Sequence, residues 1–282
     1  MLSTLRNAWK VPELRKRLLF IVFAILVNRI GNVIPVPGVD PSKIANAAQT
    51  GTLLGMYDLI SGGAFSKSTI FATGVMPYIN ASIIMQLLTI AIPYLEQLSK
   101  AGEDGRKKIQ KYTRYSSIPL AFLQAFGQYA IINNYGSLTD SSKTSMFLII
   151  LTLTVGSTFL MWLGDKITEH GIGNGISLLM FINILSRFPQ SIKGVVTSQK
   201  AGTVDVIQVV TLIVVIVAMF LTVVVSTLAE RRIQVQYAGK TVGNKTYKGQ
   251  STHIPININN SGVIAIIFAS WHLTEDLTNW SR

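Results

Sequence analysis

Long apolar runs alternate with short polar stretches that hold nearly all the charge. Apolar residues dominate 18–36, 70–92, 118–132, 146–163, 176–188 and 204–228. Several of these approach the roughly 20 residues a helix needs to cross a hydrocarbon core about 30 Å thick. The pattern predicts an all-α polytopic membrane protein with six spans. Pro35, Pro37 and Gly38 end the first span, because neither residue type continues a helix well. Asn174, between Gly173 and Gly175, turns the chain into the fifth.

The stretches between spans differ in kind. Residues 1–17 combine Arg6, Lys10, Arg15, Lys16 and Arg17 with Leu2, Leu5 and Trp9, which predicts an amphipathic helix on the membrane surface. Residues 53–60 are apolar but too short to span, and Ser61-Gly62-Gly63 separates them from the second span. They fit either a re-entrant segment, covered by protein at membrane depth, or an external loop with one amphipathic turn. Residues 93–115 read as a polar loop. Within 229–260, the alternation over 233–237 and the pair Gly243–Asn244 predict a hairpin projecting into water. A seventh apolar run opens at 261–270, but Trp271 onward is polar, with Glu275 and Asp276. About nine apolar residues cover only ~13 Å as helix, so the chain reads as stopping within a span.

Charge sets the expected orientation. The formal net charge is +12. With the N-terminus inside, one side collects the tail, Lys100, Arg106, Lys107, Lys108, Lys111, Arg114, Lys166, Arg231, Arg232, Lys240, Lys245 and Lys248, 17 cations in all. The other side has six: Lys43, Lys67, Lys143, Arg187, Lys193 and Lys200. This asymmetry matches the positive-inside rule and accounts for the basic balance without a nucleic-acid ligand.

Catalytic chemistry is not indicated. The chain has no cysteine, and its three histidines (His170, His253, His272) are not at metal-ligand spacing. No phosphate loop or nucleophile triad is visible, so neither an enzyme, a metal nor a cofactor is expected. Arg29 is the clear charge within a span, expected to snorkel or to pair with a polar neighbour. Val75 and Ile79 lie one helical turn apart, as do Ile176 and Met180. Read alone, these are packing positions.

A set of ordered strings changes that reading. They are Ile34-Pro-Val-Pro-Gly-Val-Asp40, Ser61-Gly-Gly-Ala64, Met76-Pro-Tyr-Ile-Asn-Ala-Ser-Ile-Ile84, Gly171-Ile-Gly-Asn-Gly-Ile-Ser177, Arg231-Arg232-Ile233, Gln250-Ser-Thr-His-Ile-Pro255, and Gly262-Val-Ile264 with Phe268-Ala-Ser270. With them the chain resembles the SecY family of bacterial protein-translocase channel subunits over about residues 1–270. The resemblance implies a SecY-like bundle of two five-span halves around an hourglass pore. Here it covers the first half (18–188), the sixth span and the start of the seventh (189–282).

The resemblance further implies a plug over about 53–68, with Asp58, Ser61, Gly62, Gly63 and Ala64. It implies an apolar pore ring of Val75, Ile79, Ile176, Met180 and Ile267. Asn80 and Gln86 match one wall of a lateral gate, where they are expected to pair across the closed gate. Arg106, Lys107, Lys108, Arg231, Arg232, Lys240, Lys245 and Lys248 match loops that dock the SecA ATPase or the ribosome. Implied partners are SecE, SecG, signal sequences, nascent polypeptides and membrane lipid, in the bacterial inner membrane with a cytoplasmic N-terminus. Ala265 replaces the family's proline, and 271–282 departs from the pattern. On this reading the chain is a truncated channel subunit, whose missing spans a separate chain could supply. A six-span solute facilitator and a non-conducting fragment stay open as alternatives.

Overall fold

Proline and glycine set most of the helix boundaries in the computed structural model. It describes residues 11–49, 53–140, 142–236, 240–242, 245–247 and 251–257. Residues 1–10, the turn at Gly243–Asn244, Lys248, the seventh apolar run and Ile267 lie outside the described residues. The chain divides into two compact units, Met1–Ile192 and Lys193–Arg282.

In the first unit, α1 (Pro12–Gly31) starts on a proline whose missing N–H costs nothing in a first turn. Arg15, Lys16 and Arg17 therefore belong to the helix of the first span, and the expected boundary at residue 17 is not a break. At its end, Gly31 lies against the Phe71 ring, where a Cβ would collide. The loop after α1 is clamped by two isolated bridges, Pro35 to Thr69 and Val39 to Leu138. Asp40 opens α2 (Pro41–Gln49) by accepting from the Ser42 N–H at 3.0 Å and the Ser42 hydroxyl at 2.8 Å. Those two bonds, the backbone one foremost, hold its carboxyl below the usual carboxylate range.

Next, α3 (Leu53–Ser61) is the short apolar piece. The second span was expected from residue 70, but the helix α4 (Met76–Ala91) begins six residues later. Residues 62–75 are instead a run of turns, with Gly62, Gly63 and Gly74 at φ of 70°, 87° and 61°. Such left-handed positions suit glycine. Pro77, in the first turn of α4, fits where no intrahelical N–H bond is due.

Residues 93–115 are helical rather than a loop. Ile92 is extended, as residues before proline prefer, and α5 (Pro93–Lys100) leaves α4 at 102°. Then α6 (Glu103–Asn134) runs unbroken through the charged stretch into the third span. Its polar residues form an exposed face, and i,i+4 pairs support it: Glu96 to Lys100 in α5 at 2.5 Å and Glu103 to Lys107 in α6 at 2.9 Å. Gly105 lets α6 meet the Leu98 carbonyl.

The fourth span is α7 (Lys143–His170), and the fifth lies in α8 (Gly175–Lys200), which extends beyond the expected 188. The Asn174 side chain caps α8 by accepting from the Ile176 and Ser177 N–H groups, each at 3.1 Å.

Two apolar clusters organise this unit. One joins Val36, Val39, Ile44, Phe65 and Ala72 to Ala125, Ile132, Ile149, Ile150 and Leu153. The other joins Ile21, Ala24, Phe71 and Val75 to Leu160, Leu163, Ile167, Ile176 and Leu179.

In the second unit, Asp205 and Gln208 form a capping box for α9 (Val206–Leu228), which has no buried residue. The predicted hairpin is two antiparallel pairs. One is β1 (Glu230–Gln236) with β4 (Ser251–Asn257), and the other is β2 (Lys240–Val242) with β3 (Lys245–Tyr247). Among the described residues, α7 and α9 are long and apolar enough to cross a membrane, and α4 with α5 passes the same test as a bent pair.

Glycine packing generates a contrast. A Cβ on Gly156 in α7 would collide with the Ile70 carbonyl, whereas one on Gly127 in α6 meets nothing within 4 Å. Gly156→Ala should destabilise by about 1–3 kcal/mol, the usual range for overpacking. Gly127→Ala should leave the thermal midpoint in mild detergent unchanged or slightly higher.

Candidate functional site

The turn segment after α3 is held from two sides by two different kinds of bond. Toward α6 the bonding is neutral. The Gln128 amide donates to the Tyr57 hydroxyl at 2.9 Å, and that hydroxyl donates to the Thr73 carbonyl at 3.1 Å. The Thr73 hydroxyl donates back to Gln128 Oε1 at 3.0 Å, closing a loop. A second Gln128 bond reaches the Ala72 carbonyl at 3.3 Å.

Toward α8 the bonding is ionic. Asp58 and Arg187 form a direct ion pair whose carboxylate is 6% exposed and whose guanidinium is 20% exposed. Asp58 Oδ1 also accepts from the Ser66 N–H at 2.7 Å, and Arg187 donates to the Ser66 hydroxyl at 3.2 Å. Arg187 was counted with the outer-side cations, at the end of the fifth apolar run; it sits inside α8, which continues to Lys200.

Between these anchors the four residues 61–64 close tightly. The Ser61 hydroxyl donates to the Asp58 carbonyl at 3.0 Å and accepts from the Phe65 N–H at 3.2 Å. Gly62 lies on Asn183, where a Cβ would come within 2.8 Å of its carbonyl oxygen. Gly63 lies under the Arg187 guanidinium, 3.0 Å from where its Cβ would be. Ala64 is fully buried. The five residues proposed for a plug are thus brought together.

The apolar pairs also converge. Val75 and Ile176 are buried within the second cluster, and Ile79 and Met180 pack against it, partly exposed. Val75 is the residue just before α4, and the Ile79 N–H donates to its carbonyl at 3.2 Å, which sets the one-turn register. Ile267 lies outside the described residues.

Asn80 is half-buried and Gln86 exposed on α4. Six residues rotate about 240° around a helix, so the two occupy different faces.

Of the proposed docking cations, Arg106, Lys107 and Lys108 are exposed near the start of α6. Glu103, hydrogen-bonded to the Lys107 ammonium, raises it above the ordinary lysine value. Arg231 and Arg232 are exposed on β1, opposite Ile256 and Pro255. As strand neighbours they point to opposite faces. Lys240 opens β2 and Lys245 opens β3; Lys248 lies outside the described residues.

The polar framework behind the site was not foreseen. Asn28 donates to Asn183 at 2.8 Å, Asn32 reaches the same oxygen at 3.4 Å, and Arg29 donates to the Ile182 carbonyl at 2.7 Å. Arg29 therefore has the expected polar neighbour, a backbone carbonyl. The available signal was spacing. Asn28 and Asn32 are four apart, and Asn183, Arg187 and Gln190 form an i, i+4, i+7 stripe along an otherwise apolar stretch.

The family model described as SecY matches residues 69–278. The protein translocase subunit SecY of Pseudomonas aeruginosa is 42% identical over 271 residues, covering 95% of this chain and 61% of that protein. Its counterpart in Escherichia coli K12 is 42% identical over 264 residues, covering 92% and 60%. The chain thus spans about three-fifths of the length of these relatives. Among solved structures, one described as a protein conducting channel superposes with a TM-score of 0.63 at 20% identity, over 90% of this chain and 55% of that one. Sec61 in the canine ribosome-channel complex gives 0.58 at 20% identity, over 83% and 53%. These two likenesses show the fold.

The hydrogen-bond loop yields its own test. Gln128→Leu keeps much of the volume but leaves the Thr73 hydroxyl without its acceptor and the Tyr57 oxygen without its donor. Leaving buried polar groups unpaired costs about 1–3 kcal/mol. The thermal midpoint in mild detergent should fall accordingly.

Proposed function

The chain belongs to the SecY family, and on that premise we propose that it forms part of a protein-conducting channel for secretion and membrane insertion of polypeptides. The carrying observation is the convergence of Val75, Ile79, Ile176 and Met180 in one apolar cluster beside the glycine turn at 61–64. Met180 and Asn183 are neighbours on α8, and Gly62 rests on Asn183. In this reading the four apolar residues are part of a pore constriction, and 53–68 is the plug that blocks it at rest.

The physical logic is that of a gasket. A narrow apolar constriction dewets and stops ions, yet binds no passing side chain tightly. Met180, unbranched and flexible, suits a ring that adapts to varied cargo. Ile267 is its fifth member in this proposal. The rest of the ring and the second wall of the lateral gate come from spans beyond those described, in the same or another chain. In this proposal α4, which carries Asn80 and Gln86 on different faces, is the gate helix past which a signal sequence leaves toward lipid.

The driving force is external to this chain, supplied by SecA or a ribosome docked on the cations at 106–108 and on Arg231, Arg232, Lys240, Lys245 and Lys248. Exposed arginines bind phosphates and carboxylates through two parallel bonds, which suits either partner. SecE and SecG are the proposed membrane partners. The proposed location is the bacterial inner membrane, and the lysine and arginine asymmetry supports an N-terminus in the cytoplasm.

The chain has no cysteine, so introduced ones report singly. With a secretory polypeptide stalled in membranes that contain the chain and its partners, Met180→Cys and Ile79→Cys should each form a disulfide with a cysteine in the polypeptide. Ala64→Cys should become faster to modify with maleimide. Absence of both disulfides, with the polypeptide demonstrably engaged, would sink the channel reading.

A further inference from the structure

We propose that the Asp58–Arg187 ion pair is a latch that holds the segment 61–66 against α8 and sets how readily it leaves. The proposal rests on the reading of that segment as a plug and assigns the residues that fasten it. Three observations carry it.

First, the two anchors of the segment differ in chemistry. The Tyr57–Gln128–Thr73 loop is neutral and ties the segment to α6 through bonds that include the Thr73 backbone carbonyl. The Asp58–Arg187 contact is charged and ties it to α8 through side chains. Tyr57 and Asp58 are adjacent, so one turn of α3 reaches both neighbours. Motion about the neutral anchor breaks the ionic one, which makes the first a hinge and the second a catch.

Second, the catch has a shaped receptor. The guanidinium spans Asp58, the Ser66 hydroxyl at 3.2 Å and Gln190 Oε1 at 2.9 Å. It lies over Gly63, where any side chain would displace it. Ser66 links both partners, since its N–H donates to Asp58 and its hydroxyl accepts from Arg187. The helix turn that presents Arg187 is itself fixed to α1 by Asn28 on Asn183 and by Arg29 on the Ile182 carbonyl.

Third, the pair forms a wall of a cavity of about 560 Å³, lined also by Lys67, Gln190 and Ser191. A charge pair sealed in hydrocarbon could not part without stranding both ions. Here polar groups and space adjoin both charges, so the latch can open and close again.

The test uses the Ala64→Cys reporter in membranes containing the chain with its partners and no cargo. Asp58→Asn and Arg187→Gln should each raise the rate of maleimide modification about tenfold or more. Arg187→Lys keeps the charge but loses the fork, and should give an intermediate rate. A second reporter, Ala125→Cys in the fully buried core of α6, should not change in any of them. If all three variants label at the parent rate, the latch is wrong. Equal acceleration at Ala125→Cys overturns it too, because the pair would then support the whole bundle. Should the neutralised chains not accumulate, Arg187→Lys decides: a parent rate rejects the latch. A stalled secretory polypeptide on the parent reporter separates the two layers. If cargo accelerates labelling and the charge variants do not, the plug reading stands and the latch falls. If cargo has no effect, the plug reading falls and the latch with it.

Discussion

Irregular backbone inside a membrane protein must find every hydrogen bond within the protein, because lipid offers none. The segment 62–75 finds many of its bonds in this way, and much of the first unit is arranged around it. Its own turns satisfy several groups: the Gly63 N–H donates to the Asp58 carbonyl, Thr69 to Ala64, Ala72 to Thr69 and Gly74 to Phe71. The loop after α1 supplies two more, Val36 to Ser68 and Ile70 to Ile34. Side chains add further bonds. Ser157 from α7 donates to the Gly74 carbonyl at 3.0 Å, and Gln128 from α6 donates to Ala72. Helices α1, α6, α7 and α8 all present small or polar residues to this segment, and each such residue has an identifiable bond or close approach.

The same constraint explains the glycines. Without a strong hydrophobic drive between helices in lipid, close approach and van der Waals contact hold the bundle together. Gly31 admits the Phe71 ring, Gly156 admits the Ile70 carbonyl and Gly175 admits the Gly164 carbonyl. A side chain at any of these would push apart elements that now touch. The apolar cluster around Val75 and Ile176 depends on them, since two of the three contacts involve Ile70 and Phe71 just upstream of Val75.

The span pattern was legible because hydrophobic length is a local property. The helices expected at 118–132, 146–163 and 176–188 lie within longer helices, and the one expected at 204–228 is α9, Val206–Leu228. Errors fell where local polarity pointed the wrong way. Residues 93–115 look like a loop by composition, yet they are amphipathic helix, with Leu95 and Gly105 buried and the charges outside. Residues 70–75 look like helix by hydropathy, yet Gly74 and Pro77 delay its start. The candidate ring and plug residues came from matched strings. Their helical spacing alone did not separate them from ordinary packing positions.

By itself the sequence determined the membrane character, the rough place of the long apolar helices, the clustering of charge and the family. Each follows from composition within a window or from ordered motifs, and neither depends on distant contacts. Only the tertiary structure decided that Asp58 meets Arg187, that Tyr57 meets Gln128 and that Asn28 meets Asn183. These partners are 129, 71 and 155 residues apart in the chain. Isolated polar residues on apolar helices announce that a partner is needed, because unpaired they are too costly to bury. Which partner answers depends on how the helices pack.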